Sequence, residues 1–153
     1  DIIVNLQGDM PNINPTSITE LVNYMKDQKC DIGTLASDIK SNEEINNENV
    51  VKVALKKRIS NNVFEKAVDF FRINTNSFDN LYHHIGIYEF SVSTLETFTN
   101  LEQSNNEKRY KLEQLRAMDN NIKINVSYAN TRVIGIDTQE DFIELKKIME
   151  YKS

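Results

Sequence analysis

At 153 residues the chain can form one domain with a substantial core, and 23 acidic against 18 basic side chains, a formal charge of -5, leave no basic footprint for nucleic acid. The single cysteine, Cys30, excludes an internal disulfide and suits a reducing cytoplasm. No apolar run reaches membrane-spanning length and no signal peptide precedes the first strand, so a cytoplasmic domain over residues 1–153 is expected, with no membrane partner.

Ile2, Ile3, Val4 and Leu6 make a short aliphatic run, which predicts a strand buried on both faces of a parallel sheet. It ends on Gln7, Gly8 and Asp9, where open α/β sheets usually place ligand chemistry; a strand closed by an ordinary Asx-type turn before Pro11 reads equally well. Thr16 and Ser17 followed by Glu20 predict a helix cap, and Ile18, Leu21, Val22 and Met25 carry the helix to about Gln28. A short strand over Cys30–Ala36 follows, then a polar stretch from Ser41 to Asn49 that is a brief helix or a loop. Asn49–Leu55 has the β-branched density of a strand, with Lys56, Lys57 and Arg58 as its solvated continuation.

Val63–Arg72 is ambiguous, its Phe64, Ala67, Val68 and Phe71 fitting a helix by spacing. Asn74–Asn80 is a polar loop, Tyr82–Phe90 a strand, Val92–Phe98 a short helix and Ser104–Asn120 a longer one. Ile124, Val126 and Tyr128 alternate in a strand with one polar face, and Thr138–Asp141 cap a last helix with Phe142, Leu145, Ile148 and Met149 on its apolar side. Alternating strands and helices favour a mainly parallel α/β sheet with an antiparallel excursion in the middle. Taken singly, His83–His84 is no metal signature, Glu113 and Gln114 are solvated helix residues, and Asp137 is a helix cap; His84 and Tyr88, four apart, share one strand face.

Five motifs change those odds. Asn5-Leu-Gln-Gly-Asp9 with Pro11, Asn49-Val-Val-Lys-Val53, His84-Ile-Gly-Ile-Tyr88, Leu112-Glu-Gln-Leu-Arg116, and Gly135-Ile-Asp-Thr138 with Glu140-Asp141 stand in a compatible order and spacing from residue 1 to about residue 148. In them the chain resembles the 3-deoxy-manno-octulosonate cytidylyltransferases. The resemblance implies a mostly parallel, Rossmann-like nucleotidyltransferase sheet, with a strand at Val68–Arg72 and an antiparallel excursion that makes a homodimer through Val51–Phe71. It implies transfer of CMP from CTP to the eight-carbon sugar acid Kdo, with release of pyrophosphate, for lipopolysaccharide synthesis.

The same resemblance assigns magnesium to Asp9 and Asp137, which are hard oxygen donors of the kind that ion takes, and makes them the catalytic pair. It assigns the sugar to Gln7, His84, Tyr88, Glu113 and Gln114, with Arg72 helping to hold the acid. The nucleotide loop of the family has no match, so an N-terminally truncated piece lacking its first βα portion is expected, with the CTP site incomplete and the piece inactive alone. Three departures stand out: Ile73-Asn74-Thr75 where the family has Ile-Pro-Trp, Met10 where it has Glu, and Tyr110 where it has Glu. A cytidylyltransferase for another sugar acid, such as a sialic acid, and a non-catalytic sugar-binding or dimerising fragment are the rival readings.

Overall fold

The computed structural model describes residues 1–7, 10, 12–73, 77–130, 136 and 138–150. Strand β1 is Ile2–Asn5, followed by helix α1, Pro15–Gln28. The cap lies two to three residues before the expected Thr16 or Ser17: the Asn14 side chain accepts the Thr16 N–H at 3.0 Å and Pro15 supplies a preset φ in the first turn, while Ser17 is buried. It ends at Lys29 in the left-handed region, φ 51°, whose N–H returns to the Met25 carbonyl. Strand β2, Ile32–Asp38, is buried along nearly its whole length, and α2, Asn42–Asn46, is capped by Ser41.

Strand β3, Lys52–Leu55, stops before the basic triplet, which lies exposed in a bend rather than continuing the strand. Strand β4 is Glu65–Phe71, so the helical spacing there loses to strand pairing with β3. The long β5, Leu81–Ser91, leads into α3, Val92–Thr99. The expected long helix after Ser104 is two short ones, α4 (Asn105–Tyr110) and α5 (Gln114–Asp119), because Lys111 adopts φ 54° and breaks the ladder. Strand β6 is Ile124–Tyr128 and α6 is Gln139–Glu150, begun by Thr138, whose hydroxyl accepts the Asp141 N–H.

The six strands form one sheet in the order β1-β5-β2-β6-β4-β3, and β3 pairs back to β5. Among the described residues only β2–β6 is parallel; every other pairing is antiparallel, which corrects the mostly parallel expectation. Apolar patterning identifies strands but carries no information on direction, and β5 is long enough to serve β1, β2 and β3 at once. The expectation for β1 is corrected as well. It pairs antiparallel with β5, and Ile3, Val4 and Leu6 are 40%, 38% and 56% exposed, so the aliphatic run is not sandwiched.

Two apolar clusters flank the sheet. One packs Phe70, Phe90 and Val126 against Phe98 of α3 and Leu115 of α5; the other packs Leu35, Ile85 and Ile87 under Leu21 and Met25 of α1. Each such side chain contributes roughly 1.5–3 kcal/mol on burial. Gly33 sits where α1 comes closest: a Cβ there would fall 2.5 Å from Met25 Sδ and 2.9 Å from Leu21 Cδ1. The expected polar face of β6 is buried too, with Asn125 donating to the Tyr24 hydroxyl at 3.0 Å. On α6 only Leu145 is fully inside; Phe142 and Met149 are about half exposed.

Candidate active site

The site is built on a distortion in β5. Thr34 faces Tyr88 while the next residue, Leu35, faces Ile85, so Gly86 and Ile87 stand outside the register with β2. The Thr34 hydroxyl fills the gap, donating to the Ile87 carbonyl at 2.7 Å and lying 2.9 Å from His84 Nε2. Its one proton is then committed, so the imidazole donates Nε2–H to Thr34 Oγ1. Burial, and next the charge of His83, pull His84 down to about 3, so the ring is neutral at physiological pH. Its centroid lies 5.4 Å from that of Tyr88 and 5.0 Å, edge to face, from that of Phe70. The imidazole is therefore a neutral wedge behind Tyr88, and the shared strand face expected for the two is present.

In front of Tyr88 is a cavity of about 200 Å³. Asn5 and Gln7 reach it from the end of β1, Tyr88 from β5, and Glu113 and Gln114 from the start of α5. Burial first, then the Glu113 carboxylate, push the Tyr88 phenol upward, so it stays protonated and can donate a hydrogen bond. Ile32, Phe90, Leu95, Phe98 and Ile124 add apolar surface to the same cavity. Amide, carboxylate and phenol together with apolar and aromatic carbon suit a small polyhydroxy ligand that carries both hydroxyls and a carbon ring.

The fold thus gathers Gln7, Tyr88, Glu113 and Gln114 from sequence positions more than a hundred apart, with His84 directly behind. Arg72 does not line this cavity. Its guanidinium donates to the Glu48 carbonyl at 3.1 Å and its own carbonyl accepts from the buried Lys52 ammonium, which also donates to Asn47 and Val50 carbonyls. Burial, and then the Arg72 charge, lower the pKa of that lysine. Asp9 and Asp137 lie outside the described residues, and among the described residues no group of three His, Cys, Asp or Glu side chains could hold a metal. Sequence reading missed Asn5, Leu95, Phe98 and Thr99 as cavity residues; the two apolar ones fit ordinary core positions of a short helix, and nothing in their spacing marks them otherwise.

A cytidylyltransferase family model matches residues 1–124. The chain belongs to the cytidylyltransferase family. It is 38% identical over 149 residues to the 3-deoxy-manno-octulosonate cytidylyltransferase of Bartonella bacilliformis, covering 96% of this chain and 60% of the relative. The enzyme of the same name from Brucella ovis is 41% identical over 142 residues, which are 92% of this chain and 56% of that one. A solved structure of CMP:2-keto-3-deoxy-manno-octonic acid synthetase complexed with CTP superposes with a TM-score of 0.84 at 29% identity, covering 100% of this chain and 63% of that one. This cytidylyltransferase chain therefore spans about 60% of the length of the relatives it matches, and the nucleotidyltransferase-like α/β architecture stands with a mixed sheet.

Proposed function

We propose that the chain carries the sugar-acid half of an enzyme that transfers CMP from CTP to Kdo, giving CMP-Kdo and pyrophosphate for lipopolysaccharide synthesis. The observation that carries this reading is the meeting of Gln7, Tyr88, Glu113 and Gln114 in one cavity of a chain that belongs to this family. The amides and the phenol can each donate and accept toward sugar hydroxyls, and Glu113 accepts from them. The sugar hydroxyl that attacks the α-phosphorus is held in place by these contacts, and such positioning supplies much of the rate in a displacement that asks little covalent help of the protein.

Asp9 and Asp137 are proposed as the magnesium ligands, since paired carboxylates are the donor set that ion accepts beside phosphate oxygens. When bound, magnesium would offset the negative charge gathering on the transferred phosphate. Arg72, anchored at the end of β4, is proposed to approach the acid of the sugar when substrate is present. The exposed Val63 and Val68, at 45% and 48%, support a homodimer interface over Val51–Phe71, which light scattering on the chain and on a Val68→Lys variant would test. No helix among the described residues is long and apolar enough to cross a membrane, and a cytoplasmic place of action is proposed.

The decisive experiment is calorimetric titration of Kdo into the chain, followed by pyrophosphate release with CTP and magnesium in the protein extended to the length of its relatives. Binding of Kdo that Tyr88→Phe and Gln114→Ala weaken supports the reading. Tighter binding of a sialic acid than of Kdo would move the substrate to that sugar class. Turnover unaffected by Asp9→Asn or Asp137→Asn would remove the metal assignment.

A further inference from the structure

Arg116 belongs to the LEQLR motif but does not line the cavity, and its surroundings are more elaborate than a helix-surface residue needs. Its side chain is only 12% exposed. The guanidinium donates twice to the buried Glu107 of α4, Nε to Oε2 at 2.8 Å and Nη2 to Oε1 at 2.6 Å. That carboxylate is closed from its other side by the Ser104 N–H at 3.2 Å and by Gln103 Nε2 at 3.3 Å, in the capping box that starts α4. The guanidinium carbon lies over the Phe98 ring, 4.7 Å from its centroid, so the group is also seated against a residue of the cavity wall. From that fixed place Nη2 reaches Glu113 Oε1 at 3.3 Å.

Glu113 is a different kind of residue. It stands at the cap position of α5 without making a side-chain capping bond, and its side chain is 70% exposed. A long carboxylate so placed samples many rotamers unless something holds it. Arg116 is well suited to do so, because its own fork is already locked by Glu107 and loses little further freedom. The hydrogen bonds run from the α4 cap to Glu107, to Arg116, to the carboxylate at the mouth of the cavity.

We infer that Arg116 is a positioning residue for the sugar site: locked by Glu107, it holds the Glu113 carboxylate in the orientation that accepts the ligand's hydroxyls. The inference rests on the reading of the cavity as a sugar-acid site. Its test is a double-mutant cycle on Kdo affinity by calorimetry, using the whole chain. Arg116→Lys, which keeps the charge and loses the fork, is expected to weaken Kdo binding roughly tenfold, about what one lost charge-assisted hydrogen bond implies. In a Glu113→Gln background the same change is expected to cost no more than about twofold, since the group it positions is gone.

Because a lone Arg116 substitution leaves Glu107 buried without its partner, the pair Glu107→Gln with Arg116→Gln is measured alongside, with unfolding by urea recorded for each protein. Kdo affinity unchanged in a folded Arg116 variant, or a tenfold loss that persists undiminished in the Glu113→Gln background, would overturn the inference while leaving the sugar site standing. Failure of the wild-type chain to take up Kdo would overturn the functional reading and this inference with it.

Discussion

Two glutamates of this molecule are almost closed to solvent and have opposite fates, Glu107 just under the surface and Glu89 deep in the sheet. Glu107, 5% exposed, meets a guanidinium fork, a backbone N–H and an amide, and the Arg116 hydrogen bonds hold its carboxyl below the usual carboxylate range. Glu89, 0% exposed, lies in β5 opposite Val4 and Gly33, and among the described residues neither of its oxygens has a hydrogen-bond partner. Burial alone pushes it up to about 8. Position in the fold explains the contrast: the α4–α5 corner is made of loops and caps with spare donors, whereas the centre of a sheet under α1 has spent its N–H groups on its neighbours.

The strongest way to break the comparison is to make Glu107 like Glu89. Arg116→Ala takes away the largest partner of this carboxylate while the Ser104 N–H and Gln103 amide remain, and a loss of about 2–3 kcal/mol in urea unfolding is expected. A loss below about 1 kcal/mol would mean that the pair contributes no more than a surface ion pair.

The reverse change sharpens it. Glu89 binds a proton in the folded state that it has lost in the unfolded chain at any pH between its ordinary value and about 8, so the native form holds the extra proton and stability falls as pH rises through that window. The slope is about 1.4 kcal/mol per pH unit, flattening above the folded-state value. Unfolding curves at pH 6 and pH 9 should therefore separate by roughly 2–3 kcal/mol from this group. Glu89→Leu, which removes both the charge and the unsatisfied oxygens, should raise stability at both values and abolish that part of the difference. An unchanged pH dependence in the variant would show that another group carries it.

Gly33 sits across from Glu89 and shows how tightly this side is filled. Gly33→Ala places a methyl carbon 2.5 Å from Met25 Sδ, and although that side chain is flexible, Leu21 stands 2.9 Å away as well. A loss of about 1–3 kcal/mol in thermal or urea unfolding is expected, with Met25→Ala in the same chain recovering part of it. Lack of recovery would place the strain elsewhere.

What could be read in the sequence follows the same division. Most strand and helix identities were legible because their periodicity is local, and β5 and β6 are found within a residue or so of where their apolar residues put them, whereas the helical spacing of Val63–Arg72 misled because strand pairing there is not local. Strand direction was not legible, since Leu35 reads the same in a parallel or antiparallel pair. The single helix expected after Ser104 fails at Lys111, a residue whose side chain gives no sign of a left-handed backbone. Among the residues that line the cavity, Gln7, Tyr88, Glu113 and Gln114 were singled out through motifs, and their convergence needed the fold. Phe98 and Leu95 were not reachable, because a cavity wall and a core position have the same composition. Glu89 was hidden for a plainer reason: a glutamate beside Tyr88 reads as an outward residue until the sheet is known to be covered on both faces.

The smallest effect concerns the bulge that seats the site. Thr34→Val keeps the shape of β2 and removes one hydroxyl, leaving the Ile87 carbonyl and His84 Nε2–H without the partner each now has. Two buried groups lose a bond, yet the imidazole can turn and the carbonyl is one of two that the threonine approaches, so about 1–2 kcal/mol is expected rather than the sum. The more informative consequence is local. With His84 released, the Tyr88 ring loses its fixed neighbour 5.4 Å behind it, and Kdo affinity should drop by more than the stability change alone could cause at a temperature where the variant is fully folded. Thr34→Ser, which restores the hydroxyl without the methyl, should recover the affinity. If Val and Ser variants bind Kdo alike, the hydroxyl only closes the bulge and His84 has no part in presenting Tyr88.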